Sequence, residues 1–307
     1  MTILTNIKEK LQELNLNFTE NASLKRYNTW KLSGNAEFLV HIHSINELSS
    51  LYTYILTDNI PYFIIGKGSN ILVPDEGIKG IVIRLGKEFE SLNINENLVT
   101  AGAAASFIVL CLNVAKQGLS GLEFGAGIPG SVGGAVTMNA GAHKSDVSKV
   151  LKKIKVLDER GQVRTLTNEE LQFSYRKSII QQEKWIVLEA TFELKPANKE
   201  EIVKLTNDNK EYRLKTQPLK EASCGSVFKN PLPEYSGNLI EKLGLKGHRI
   251  GNAQISEKHG NFIVNLGDAS SNDVISLIRL AQEKAQEQYG VQLNPEVQFL
   301  TTTGKKG

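Results

Sequence analysis

Apolar positions along the chain repeat with two periods, and the expected elements follow from them. Spacings of three and four predict a short amphipathic helix over 6–14 and a second over 45–57, where Leu48, Leu51, Tyr52 and Ile55 share a face. Residues 106–116 predict a third, with Phe107, Leu110, Cys111, Val114 and Ala115 along one side and Gly118 as its stop. Asn198 is placed to cap a charged helix reaching about Lys215, and further helices are predicted over 239–243 and 272–289. Alternation and short apolar runs predict strands at 38–42, 62–65, 81–84, 98–101, 154–158, 162–166, 185–194, 262–265 and 297–300. The first two, with the helix between them, read as a β-α-β unit. Glu159-Arg160-Gly161 turns 154–158 into 162–166 as a hairpin. Helices mixed with this many strands predict an α+β fold rather than a regular doubly wound sheet. Pro196-Ala197-Asn198 punctuates the pattern. Residues 1–197 are expected to form one region, which splits near residue 80 if it splits at all, and 198–307 a smaller α+β region.

Composition narrows the class. At 307 residues, with 40% hydrophobic and 22% charged residues, the chain is that of a soluble globular protein with a large core. A net charge of +3 with no long basic block leaves no footprint for nucleic acid, although it suits an anionic small molecule. Cys111 and Cys224 are far apart and in no metal spacing, so a reducing compartment, the cytoplasm, is expected, with no disulfide framework and no metal. Lys8, Glu9 and Lys10 stand where a secretory leader needs an apolar run, and no apolar segment is long enough to span a membrane.

The chemistry centres on residues 121–142, a stretch with seven glycines and one charged side chain, Glu123. Such a run is a poor solvated linker. It reads as backbone folded tightly around something, its exposed N–H groups forming an anion surface where the chain enters a helix. Pro129-Gly130-Ser131 supplies a turn, and Ser131 can add a hydroxyl donor. The guest that fits is a diphosphate held by dipoles; a buried glycine-rich turn with no guest fits the local chemistry equally. Earlier, the strand at 62–65 runs into Gly66-Lys67-Gly68-Ser69-Asn70, again a place for amides to meet phosphate, with Lys67 adding charge. It is neither a Rossmann fingerprint nor a Walker loop, and alone it reads better as a tight turn.

Three polar elements interrupt the patterning: Phe173-Ser174-Tyr175-Arg176-Lys177-Ser178, the run from Ala222 to Pro231, and Asn294-Pro295-Glu296-Val297. Singly, each reads as a surface pair, a turn or a solvated strand start. Cys224, two residues before Ser226, also admits a nucleophilic-thiol reading.

In this order the motifs resemble the UDP-N-acetylenolpyruvoylglucosamine reductases, also called UDP-N-acetylmuramate dehydrogenases, of bacterial cell-wall synthesis. The resemblance runs over nearly the whole chain. It is carried by Gly66 to Asn70, Gly127 to Ala135 with Met138 to Ala142, Tyr175-Arg176, Gly225-Ser226-Val227-Phe228-Lys229-Asn230-Pro231, and Pro295-Glu296-Val297. It implies an FAD-binding fold of the vanillyl-alcohol-oxidase type followed by a substrate-binding domain. FAD would be held non-covalently by Gly66, Lys67, Gly68, Ser69, Asn70, Gly127, Pro129, Gly130, Ser131, Gly133, Gly134, Asn139 and Ala140. It also implies that NADPH reduces FAD, which then reduces the enolpyruvyl double bond of a UDP-sugar. Arg176 and Glu296 would stabilise the resulting charge, and Ser226 would deliver the proton. Tyr175, Lys229 and Asn230 match positions near the substrate, with Arg213 and Gln217 reaching its nucleotide end. A monomer is the favoured assembly. The chain resembles the shorter family type, without an extra tyrosine-bearing loop, and it has His143 and Lys144 where the family often has an aromatic residue and glycine. A flavin oxidase of the same wider fold, or a nucleotide-binding module without chemistry, are the alternatives.

Overall fold

The structure, a computed structural model, describes residues 3–303. Met1 and Thr2, part of the stretch read for a leader, and the last four residues of the C-terminal region lie outside the described residues.

The β-α-β unit is present with one strand inserted. Strands Asn35–Ile42 and Tyr62–Ile64 are joined by helix Ile45–Thr57, and both pair in parallel with Ile78–Leu85, which lies between them. Ser44 caps the helix, its Oγ accepting from Glu47 N at 3.2 Å. Phe38, Val40, Ile42, Ile81 and Ile83 face Leu48, Leu51 and Tyr52 in one core. On the opposite face Leu39, Val82, Phe63 and Ile65 are covered by Leu24, Tyr27 and Leu300. The outer strand Asn17–Ser23 escapes the hydrophobic pattern because only Ala22 along it is buried. Parallel pairing carries the end of Tyr62–Ile64, and with it the Gly66–Asn70 loop, to the carboxyl edge of the sheet, where open α/β sheets bind ligands.

The second layer is a five-stranded antiparallel sheet ordered Val163–Thr167, Leu151–Leu157, Ile186–Glu193, Leu98–Gly102, Leu92–Asn95. The predicted hairpin turns on Asp158, whose Oδ1 accepts from Arg160 N and Gln162 N, both at 2.9 Å. Helix Phe107–Lys116 and a short helix, Val132–Thr137, bury Phe107, Cys111, Val132 and Val136 with Ala190 and Phe192 of the sheet.

Asn198 does cap helix Lys199–Thr216, accepting from Glu200 N and Glu201 N. The helix, however, lies on the second layer: Ile202 and Thr206 are buried, and Asn209 Nδ2 donates to the Glu123 carbonyl at 3.2 Å. The helix thus packs on the first region, and the chain leaves it at Gln217.

The remainder packs helices Ser236–Lys242 and Ser271–Tyr289 on a three-stranded sheet of Arg249–Ile250, Ala253–Ile255 and Ile263–Asn265. Ser270 and Asp273 form a capping box, and Gly290, at φ +63°, ends the long helix. This unit is tied to the first. Trp30, fully buried, donates from Nε1 to the Ile263 carbonyl at 2.7 Å, and Asn265 Nδ2 donates back to the Trp30 carbonyl at 2.8 Å. The strand expected at 297–300 is Gln298–Phe299, and it pairs in parallel with Ile71–Leu72 of the first unit instead of closing its own sheet. That return brings Glu296 beside the first glycine loop.

Candidate active site

The two glycine loops meet. Ser69 Oγ donates to the Pro129 carbonyl at 2.7 Å, and a Cβ added at Gly66 would collide with Ser131 Oγ. Among the described residues, no protein group accepts from the backbone N–H groups of Gly66, Lys67, Gly68, Ser69, Asn70, Gly127, Gly130 or Ser131. Unpaired amides on two loops in contact suit an anion, and Lys67 adds a charge beside them. Gly68 (φ +67°) and Gly130 (φ +155°) hold the loop conformations that favour glycine. A cleft of about 250 Å³ opens beside the first loop, lined by Lys67, Leu92, Ala104, Ser106 and Val109 among others.

Not every expected cradle residue is free to serve. Ser131 Oγ caps helix Val132–Thr137 by accepting from Gly134 N at 3.3 Å. Gly133 is buried, and its missing side chain makes room for Ala103, whose Cβ would lie 3.0 Å from a Cβ there. Its N–H already donates to the Ala103 carbonyl at 2.9 Å. Gly133 is therefore placed as a packing glycine whose N–H is already used within the protein. Ala140 N donates to the Ala135 carbonyl at 2.8 Å, and Asn139 is 3% exposed, with both ends of its amide engaged. These two close the loop from behind. Gly134 is exposed at the same turn, and Pro129 contributes the carbonyl that Ser69 holds.

Charged side chains gather next to the cradle. Arg176 sits in a tight turn closed by Ser174 N to the Lys177 carbonyl (3.0 Å) and by the reciprocal bond (3.1 Å), in the left-handed conformation at φ +56°. Its Nε donates to Glu296 Oε1 at 3.0 Å, Nη2 to the Gly141 carbonyl at 2.5 Å and Nη1 to the Asn139 carbonyl at 3.4 Å. The guanidinium is thus aimed by protein groups, with the Tyr175 ring 5.0 Å away. Burial pushes the Glu296 carboxyl above the ordinary carboxylate range, against the pull of Arg176 and Lys229.

Ser226 follows Gly225, which is at φ +82°, and is half-buried; among the described residues its hydroxyl makes no hydrogen bond. The backbone after it is pinned: Val227 N donates to the Asn261 carbonyl, and Asn261 Oδ1 and Nδ2 clamp Phe228 N and O at 2.9 and 2.8 Å. Glu296 N donates to the Val227 carbonyl at 2.8 Å, so Ser226 and Glu296 stand on neighbouring backbones. Asn70 Nδ2 donates to the Glu296 carbonyl at 3.2 Å, linking this pair to the cradle. Tyr175 Oη accepts from Asn230 N at 3.3 Å, and Ser236 N donates to Asn230 Oδ1 at 3.1 Å.

Arg213 packs close to the glycine cradle. It lies against the second glycine loop, its Cδ 2.6 Å from where a Gly127 Cβ would be, and donates from Nε to Gln217 Oε1 at 3.0 Å. Burial, and then Arg176, lowers its pKa to about 10. Arg176 and Lys229 act on the Glu296 carboxyl, and Arg213 lies close enough to Arg176 for the two cations to oppose each other, so the pocket is positive and suits an anion. His143 and Lys144 both take positive φ at the tip of the hairpin Gly141–Ala142/Ser145–Asp146, and the His143 ring packs edge-on to Tyr212. Cys224 is buried, and burial followed by Glu296 raises its thiol well above the ordinary value, which removes the thiolate reading. Asn261 was not legible in the sequence, because a lone asparagine in a turn leaves no periodic signal. Among the described residues no group of three or more His, Cys, Asp or Glu side chains is placed to hold a metal ion, and no helix is long and apolar enough to cross a membrane.

Fold and site together define an FAD-binding α+β protein whose glycine cradle opens onto a cationic pocket with a free hydroxyl. Residues 36–167 match the FAD binding domain family, and 217–300 match the family described as UDP-N-acetylenolpyruvoylglucosamine reductase, C-terminal domain. UDP-N-acetylenolpyruvoylglucosamine reductase of Bacillus pumilus is 46% identical over 97% of this chain and 99% of its own length. That of Bacillus subtilis is 46% identical over 91% and 93%. The crystal structure of UDP-N-acetylenolpyruvylglucosamine reductase from Thermus caldophilus superposes with a TM-score of 0.81 at 38% identity, over 92% of this chain and 98% of that one. The chain belongs to the UDP-N-acetylenolpyruvoylglucosamine reductase family.

Proposed function

We propose that this chain reduces the enolpyruvyl group of UDP-N-acetylglucosamine enolpyruvate to UDP-N-acetylmuramate for peptidoglycan synthesis, with FAD as cofactor and NADPH as hydride donor. The unpaired amides of Gly66–Asn70, Gly127, Gly130 and Ser131 fit the cofactor's diphosphate. Bound there, FAD supplies the methylene carbon of the substrate with the hydride accepted from NADPH.

Hydride addition leaves negative charge on the adjacent carbon, delocalised into its carboxylate. Arg176 holds a fixed cation for that charge, already aimed by Glu296 and two carbonyls, so little reorganisation is needed. Glu296 orients the Arg176 guanidinium through its bond to Nε, and burial, by raising its pKa, lessens its repulsion of the developing anion. Ser226, with no protein partner for its hydroxyl among the described residues, delivers the proton to the carbon. Lys229, Asn230 and Tyr175 line the same side and bind the substrate's polar groups. Arg213 and Gln217, joined through Nε and Oε1, reach the nucleotide end of the substrate.

The observation that carries this reading is the junction of Arg176, Ser226 and Glu296, from three separated segments, beside a diphosphate cradle. The two free cysteines and the nucleotide substrates favour the cytoplasm. The purified protein is expected to be yellow, to release FAD on denaturation, to bleach with NADPH and to recolour on anaerobic addition of the enolpyruvyl sugar nucleotide. A colourless protein that takes up no FAD contradicts the cofactor assignment. Recolouring only by oxygen would instead favour a flavin oxidase.

A further inference from the structure

Asn139 lies in the Asn-Ala-Gly-Ala run, which the motifs tie to FAD, yet its side chain is turned into the protein, with the nitrogen and the oxygen of its amide each bonded to backbone. It is 3% exposed. Nδ2 donates to the Ser174 carbonyl at 3.0 Å, and Oδ1 accepts from Ser148 N at 3.0 Å. Its own carbonyl, with that of Gly141, accepts from the Arg176 guanidinium. Ser174 is the first residue of the turn that carries Arg176, and that turn holds Arg176 at φ +56°, a conformation that persists only when its surroundings fix it. Asn139 itself is at φ +41°, which asparagine tolerates better than most residues. One residue therefore grips the Arg176 turn through its side chain and the guanidinium through its backbone.

We propose that Asn139 is the positioning residue for Arg176: it sets the turn and the guanidinium direction, so it governs the sugar-reduction step without contacting FAD. The proposal rests on the reductase reading above. A misplacement of about 1 Å in a catalytic group can cost on the order of a hundredfold in rate. The loss should fall on the step that uses Arg176 and not on the delivery of hydride from NADPH.

Two variants test this. Asn139→Gly keeps the positive φ accessible and deletes both side-chain bonds. Asn139→Asp keeps an acceptor for Ser148 N and loses the donor to Ser174. Each is purified as holoenzyme beside the unmodified enzyme, and each half-reaction is followed by stopped-flow flavin absorbance. Full flavin occupancy, unchanged bleaching by NADPH and reoxidation by the sugar slowed about ten- to hundredfold are expected. In an Arg176→Lys background the same substitution should cost little more, because its effect acts through the missing fork. Loss of flavin would return Asn139 to the cradle, and equal slowing of both steps or full additivity with Arg176→Lys would reduce it to general stability; each overturns the proposal. If Asn139→Gly does not fold, Asn139→Asp decides. Failure of the unmodified enzyme to reoxidise with the sugar would count against the reductase reading, separately from any outcome for Asn139.

Discussion

Between Gly66 and Ser131 the site is built from backbone amides, and between Arg176 and Glu296 it is built from charged side chains. The amides come from two short loops whose geometry is set locally, by positive φ at Gly68 and Gly130 and by the Ser69 to Pro129 bond. The charged centre is assembled from distant segments: Arg176 from a turn between two strands of the second sheet, Ser226 from the start of the last unit, and Glu296 from the segment leading into the strand that returns to Ile71–Leu72. Unpaired amides, with Lys67 beside them, suit a doubly charged group. A cationic pocket around a carboxyl of raised pKa serves charge that exists only during reaction. Binding and chemistry are thus held by different kinds of group, and each should fail alone.

The largest effect expected from the cradle is that of Gly66→Val. Its side chain would meet Ser131 Oγ between the loops, and overpacking of about 1–3 kcal/mol would weaken FAD binding roughly ten- to hundredfold. Flavin content after gel filtration measures it. Gly133→Val sharpens the contrast: that Cβ would press on Ala103 in the core, so the variant should melt earlier before it shows weaker flavin affinity.

On the other side, Arg176→Lys keeps the charge and loses the planar fork. Hydrogen bonds to charged groups are worth about 1.5–3 kcal/mol, so sugar reduction should slow roughly ten- to hundredfold with flavin content intact. Near-normal turnover would show that Arg176 takes no part in the chemistry.

Glu296→Gln gives a smaller, pH-dependent effect. The folded-state pKa of Glu296 is raised above its ordinary value of 4.5. Its contribution to stability is therefore complete below that value and is lost as pH rises through the folded pKa. The glutamine variant, neutral throughout, should gain in Tm relative to the unmodified protein as pH climbs through this window, while sugar reduction falls. A constant Tm difference across pH would show that Glu296 ionises normally. Smallest of all, Cys224→Ala should keep turnover near normal, since a buried thiol of raised pKa has no nucleophilic part to play.

The same division governs what the sequence disclosed. Periodicity found the capped helices and the hairpin at Asp158, and glycine content found both loops, because those signals are local. It did not find helix Val132–Thr137, six residues long and rich in glycine and valine, whose propensity opposes the fold that tertiary packing imposes. Nor could it place Lys199–Thr216: a helix charged on most sides, with only Ile202 and Thr206 buried, does not announce its partner. Arg176, Ser226 and Glu296 were named through motif resemblance. Their junction depends on the return of Gln298–Phe299 and on Trp30 seated in the last unit, long-range contacts with no local trace.

The division between binding and chemistry is tested most directly by Ser226→Ala in anaerobic stopped-flow. A positioned proton donor contributes about 10²–10⁴-fold in rate. The variant should bind FAD fully and bleach with NADPH at a near-normal rate, while reoxidation by the enolpyruvyl sugar nucleotide falls at least about a hundredfold. Equal slowing of both steps, or no slowing of the second, would contradict the account.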